Sequence, residues 1–257
     1  MEVAGGKGNK LMVALYEGFG TSLLVYAVLI SHGNAFAVAP TLFALLCLFG
    51  GITGGHYNPA VTMGVFIGRK KLRQDCSFWL LITLFQCMGG LIGILWAYLA
   101  LMPTQFGGDN TLVQSWIPRL CPTGATPEGQ AIAGCDPNLN RAWSTFYFQM
   151  FCTFIFVSTI LTAKSEVLAP TKDGLLGNSL VAMTLFAMIN CSQSLGGACY
   201  NPAVAIGQLV FGVYTTDDAD LRKEQSVYAW CFTIGPLIGG LLAGNLVPIM
   251  ESNLKTI

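Results

Sequence analysis

Long apolar runs, separated by short polar or glycine-containing stretches, dominate this chain. The clearest cover 11–30, 78–101, 146–162, 175–191 and 227–247, with a shorter sixth at 35–51. A helix needs about 20 apolar residues to cross the hydrocarbon core of a bilayer. In lipid only helices and closed barrels satisfy every backbone N–H and C=O. The runs are continuous and do not alternate apolar with polar positions, so they predict helices and not barrel strands. Six spans, an even number, return the chain to the side where it began. The first run is too long for the apolar part of a cleavable signal and has no convincing small-residue cleavage site. It reads as a retained first helix.

Two other apolar stretches, 61–68 and 204–212, are too short to cross. Stretches of that kind suggest re-entrant segments. Each directly follows an Asn-Pro-Ala: Asn58-Pro59-Ala60 and Asn201-Pro202-Ala203. Proline is favoured at the first helical position, where its missing N–H needs no partner. Asparagine just before it is a preferred N-cap. Each motif therefore opens a half-helix, and irregular backbone at membrane depth is tolerated where it lines a water-filled cavity. One Asn-Pro-Ala is an ordinary turn-and-cap tripeptide. Two of them, each preceded by Gly-Gly and a tyrosine at equivalent places, form a specific signal.

The two halves of the chain resemble each other beyond these motifs. Glu17-Gly-Phe-Gly-Thr-Ser in the first span has a counterpart in Gln149-Met-Phe-Cys-Thr-Phe in the fourth. Gly89-Gly-Leu-Ile-Gly in the third matches Gly235-Pro-Leu-Ile-Gly-Gly in the sixth. Three spans per half is an odd number, so the second half must be inverted relative to the first. The expected organisation of 1–257 is one membrane domain, with a first half at 11–101, a second half at 142–248 and a long connecting loop at 102–141. Inverted repeats place their functional site at the midplane, between the repeats.

Composition agrees with a lipid-facing chain: 10% of residues are charged, against about 25% in soluble domains. The net charge is zero, so nothing points to a nucleic-acid partner. Lys7, Lys10, Arg69, Lys70, Lys71, Arg73, Lys164, Lys172 and Lys255 fall on one side of the six-span arrangement. Arg119, Arg141, Arg222 and Lys223 on the other are offset by acidic neighbours. This bias predicts both termini on the cytoplasmic or equivalent side. Cys47, Cys87, Cys152, Cys191 and Cys231 lie in apolar segments and read as small buried hydrophobes. Cys121 and Cys135 lie in the polar loop and could pair if it faces an oxidising compartment; the sequence leaves both states open. No nucleophile–base pair, metal cluster or phosphate loop stands out, so neither an enzyme, a cofactor nor a metal site is expected.

The paired motifs, the Glu17 segment, Gln86 in the third span and Gly235-Pro236 in the sixth together resemble the aquaporin, or major intrinsic protein, family over essentially the whole length. The resemblance implies an all-α integral membrane protein with six transmembrane helices and two re-entrant half-helices. It also implies a homotetramer in membrane lipid with one pore per protomer. Asn58 and Asn201 match the asparagines that donate hydrogen bonds to a passing water, between two half-helix dipoles whose positive ends face the same point. Glu17 matches a buttress of the re-entrant loop, and Gln149 would keep that role without the charge. His56 matches a histidine at the cytoplasmic vestibule, and reads equally well as a hydrogen-bonded structural residue.

The chain departs from the family pattern at the outer constriction. Water channels of the family usually carry arginine directly after the second motif, and here that residue is Val204. By register the other candidate filter positions are Val38, Ile189 and Ala198, so all four are apolar. Glycerol channels usually add an aspartate shortly after that arginine, which Val204-Ala205-Ile206 lacks. The expected function is a passive channel for water and small uncharged solutes such as ammonia, hydrogen peroxide or urea. The alternative is a non-conducting subunit of this fold in a larger membrane assembly, suggested by the apolar filter and the long loop.

Overall fold

The computed structural model describes residues 9–105, 120, 138–192, 197–215 and 219–255. The described residues form eight helices: α1 (Lys10–Ile30), α2 (Ala35–Thr53), α3 (Pro59–Gly68), α4 (Cys76–Gln105), α5 (Leu139–Ala163), α6 (Gly174–Cys191), α7 (Pro202–Thr215) and α8 (Ala219–Leu254). Six of them, all but α3 and α7, are long and apolar enough to cross a membrane. At 1.5 Å per residue, the 10 residues of α3 span roughly half of a hydrocarbon core about 30 Å thick.

Polar side chains set the helix starts. Asn34 opens α2 by accepting from the Phe36 N–H, and Asn138 opens α5 by accepting from the Arg141 N–H. Asp173 opens α6 by accepting from the N–H groups of Leu175 and Leu176. Such caps satisfy N–H groups that have no partner within the helix.

Helix ends differ from the apolar runs. α5 begins at Leu139, ahead of the run at 146; α8 runs from Ala219 to Leu254 and takes in Arg222, Lys223 and Glu224, which lie ahead of the apolar run at 227. The physical reason is that hydropathy marks only the part of a helix that lies in hydrocarbon. Backbone pairing continues into the headgroup layer, where charge is tolerated. The half-helix α7 likewise extends past the apolar stretch to Thr215.

The packing is two-fold in pattern. α1 packs along α4 and α5 along α8, while α2 meets α6 between them. The half-helices reach across: α3 rests mainly on α8, and α7 packs against both α4 and α8. Gly90 and Gly240 make the crossing close. A Cβ at Gly90 would lie 2.5 Å from the Ala203 carbonyl oxygen, and one at Gly240 would lie 2.2 Å from that of Ala60. Small residues allow such backbone approach in lipid. The outer surface is apolar, with Phe36, Leu48, Leu84, Phe151, Met183 and Ile249 exposed. Trp143 and Trp230 stack edge to face at 4.9 Å, and Trp143 is exposed.

Candidate functional site

Each asparagine of the two motifs does two things at once. Asn58 Oδ1 accepts from the Ala60 N–H at 2.8 Å, and Asn201 Oδ1 accepts from the Ala203 N–H at 3.0 Å. These are N-cap bonds that open α3 and α7 behind Pro59 and Pro202. Asn58 Nδ2 then donates to the Tyr200 carbonyl and Asn201 Nδ2 to the Tyr57 carbonyl, each at 2.9 Å. The motifs, distant in sequence, are therefore bonded to each other crosswise. A side-chain amide carries two N–H groups. One is committed to the opposite loop, which leaves one on each asparagine for a further acceptor. Both half-helix N-termini, the positive ends of their dipoles, face this junction.

The two loops are braced unequally. Glu17 on α1 is fully buried. Its Oε1 accepts from the His56 N–H at 2.9 Å, and its Oε2 accepts from the Tyr57 N–H at 2.6 Å and from Gln86 Nε2 at 2.9 Å. All three partners are donors, the arrangement an ionised carboxyl satisfies. Gln86 Nε2 also donates to Thr62 Oγ1 at 2.9 Å, and the His56 ring meets Thr62 Oγ1 at 3.2 Å. In the second loop a single oxygen, Gln149 Oε1, accepts from the N–H groups of Cys199 at 3.3 Å and Tyr200 at 3.1 Å. Gln149 Nε2 donates to the Gly197 carbonyl at 2.8 Å.

The four apolar filter candidates are only partly brought together. Val38 on α2 and Ile189 on α6 are buried in one cluster, and the half-buried Ala198 packs against it. Val204 lies in a second cluster, with Val25, Ile94, Cys199 and Ala205. A valine at this place is too short to reach across a passage as an arginine would. All seven described cysteines are free. Cys121, Cys135, Gly196 and the acidic pair Asp217 and Asp218 lie outside the described residues. No group of three potential metal ligands occurs among the described residues.

Sequence reasoning missed some of the polar framework. Thr62 was given no role, although it lies two residues after the first motif. Lys164, at the C-cap of α5, donates from Nζ to the carbonyl of Gly54 and so ties the second half to the first loop. Only proximity in three dimensions reveals that contact. Tyr57 and Tyr200 were visible as a repeated residue but carried no assigned task.

The sequence pattern described as major intrinsic protein matches residues 9–247. The chain belongs to the major intrinsic protein family. It is similar to "Probable aquaporin PIP1-4" of Arabidopsis thaliana, 27% identical over 219 residues that make up 82% of this chain and 63% of that protein. It thus spans less than two thirds of the length of this relative. It is also similar to "Glycerol uptake facilitator protein-like 6" of Lactiplantibacillus plantarum, 26% identical with 93% of this chain and 97% of that protein covered. Its fold matches the X-ray structure of the aquaglyceroporin from Plasmodium falciparum with a TM-score of 0.72 at 15% identity, covering 95% of this chain and 98% of the other. That likeness concerns the fold alone. Six spans, two short helices and crossed Asn-Pro-Ala motifs place this major intrinsic protein in the aquaporin architecture.

Proposed function

We propose that the protein is a passive channel for water and small uncharged solutes, with its narrow passage running through the junction of the two Asn-Pro-Ala motifs. The observation that carries this reading is the crossed pair of 2.9 Å bonds between each asparagine and the opposite loop. They leave one amide N–H on Asn58 and one on Asn201 for a solute with a lone pair. Two converging helix N-termini orient a water with its oxygen toward them and oppose a cation. Val38, Ile189, Ala198 and Val204 are proposed as an apolar outer constriction, where ammonia, hydrogen peroxide or urea would meet no charged group. The distribution of Lys and Arg supports both termini on the cytoplasmic or equivalent side, and the family resemblance supports a homotetramer.

Stopped-flow swelling of proteoliposomes tests this directly. Water permeability above that of empty liposomes is expected, with uptake of at least one of the three solutes. Permeability equal to empty liposomes for all of them ends the reading. Val204→Arg should lower the solute-to-water ratio; an unchanged ratio removes Val204 from the constriction. The four apolar candidates also suit a non-conducting subunit. Stoichiometric co-purification with a larger complex in mild detergent, together with absent permeability, would select that alternative.

A further inference from the structure

Each motif is preceded by a tyrosine that sits at the centre of four constraints. Tyr57 and Tyr200 are buried and adopt left-handed backbone, with φ of 48° and 38°. Side chains other than glycine rarely hold that conformation unless their surroundings fix it. The backbone N–H of each donates to the brace of its own half, Glu17 or Gln149. The carbonyl of each accepts from the asparagine of the other half. The phenol of each reaches back to a helix: Tyr57 Oη donates to the Leu45 carbonyl in α2 at 3.0 Å, and Tyr200 Oη to the Met188 carbonyl in α6 at 2.8 Å. The two helices so gripped are the pair that pack against each other at the middle of the fold. The Tyr57 ring also fills the space beside Gly20 of α1, where a Cβ would come within 2.3 Å of it.

We infer that Tyr57 and Tyr200 are positioning residues: through their phenols they fix the distance between Asn58 and Asn201, and with it the largest neutral solute that passes the junction. The inference rests on the channel reading. The carbonyl that anchors each asparagine belongs to a tyrosine, so wherever the tyrosine is held, the opposite amide is held. With no polar group at the outer filter candidates, sorting of neutral solutes by size falls to this spacing. Releasing the phenol from its helix lets the loop relax from its strained conformation and widens the junction.

The test uses the full-length chain in proteoliposomes, with water, urea and glycerol as probes. Tyr57→Phe and Tyr200→Phe remove one oxygen each. Each variant is expected to raise the urea-to-water and glycerol-to-water permeability ratios severalfold. The second readout separates positioning from packing. Asn201→Ser keeps a capping oxygen but is too short to reach the Tyr57 carbonyl. Combined with Tyr57→Phe it should be non-additive by about threefold or more in the urea-to-water ratio. A tyrosine whose phenol did not set the place of its own carbonyl would act additively with Asn201, even though Asn201 bonds to that carbonyl. Unchanged ratios in both phenylalanine variants, or additivity across the crossed pair, overturn the inference while leaving a conducting channel intact. Wild-type protein that passes no probe overturns the channel reading and this inference with it.

Discussion

The two loops that meet at the centre are built on one plan from different materials. Around the first motif a carboxyl, an amide, a hydroxyl and an imidazole form a continuous network: Glu17, Gln86, Thr62 and His56. The corresponding places around the second are Gln149, Pro236, Ala205 and Cys199. The spacing is read from the two motif asparagines and from Gly90 and Gly240, one helical turn after Gln86 and Pro236; packing thus moves the match of Gly89 from Gly235, where the sequence put it, by one turn to Gly239. What remains the same is the backbone: both asparagines cap, both cross, both tyrosines turn left-handed. The junction therefore needs a fixed backbone shape, which a carboxyl-centred network and a single neutral amide can each hold. The two braces differ in strength. A buried carboxyl with three donors is worth more, and is more costly to disturb, than an amide sharing one oxygen.

The largest effects should come from what the halves share. Gly90→Val or Gly240→Val would force a side chain into a backbone carbonyl of the opposite half. Each should cost upwards of about 3 kcal/mol and abolish recovery of monodisperse protein in mild detergent. A large loss at one site only would break the symmetry of the packing.

Next come the braces. Glu17→Ala orphans three buried donors and should cost about 3 kcal/mol or more, against about 1–2 kcal/mol for Gln149→Ala. Equal shifts in the thermal midpoint would show that the extra network around the first motif adds nothing. Gln149→Glu sharpens the point. A carboxylate oxygen would replace the amide N–H that faces the Gly197 carbonyl, so a loss of about 1–3 kcal/mol is expected, although the change gives the second loop the same acid that braces the first. Adding Pro236→Gln and Ala205→Thr should recover part of that loss. A stabilising Gln149→Glu would mean that the two sites are interchangeable after all.

The smallest effect concerns Lys164, which links the halves. Burial pushes its ammonium down to about 8, with Glu17 opposing the shift and Arg69 adding to it. Its folded value lies below the ordinary 10.5, so the unfolded chain binds the proton more tightly. Stability contributed by this group should therefore rise as pH increases from about 8 toward 10.5. Thermal midpoints across that window should show a slope that Lys164→Met removes. A slope that persists assigns the dependence elsewhere.

Much of the framework was open to reading along the chain. Continuous apolar runs can be nothing but spans where no water is available to satisfy a backbone. Proline behind asparagine, followed by too few apolar residues to cross, fixes two short helices by local chemistry alone. Glu17 was legible because an acidic residue in hydrocarbon demands partners. The helix ends were not, since a backbone ladder does not stop where hydropathy falls. Nor was the separation of Val204 from Val38 and Ile189, because cluster membership depends on how far α7 turns against α4.

By itself, then, the sequence determined the elements, their number, and the caps that start the half-helices, because these depend on neighbours a few residues apart and on the absence of water. Only the tertiary structure decided which donor meets which acceptor across the junction. The crossing of each asparagine to the opposite tyrosine carbonyl, the phenol grips on α2 and α6, and the reach of Lys164 to Gly54 join residues from different loops and helices and, in two of the three, from opposite halves. Such pairings exist only once close helix packing has brought two inverted halves within hydrogen-bond distance.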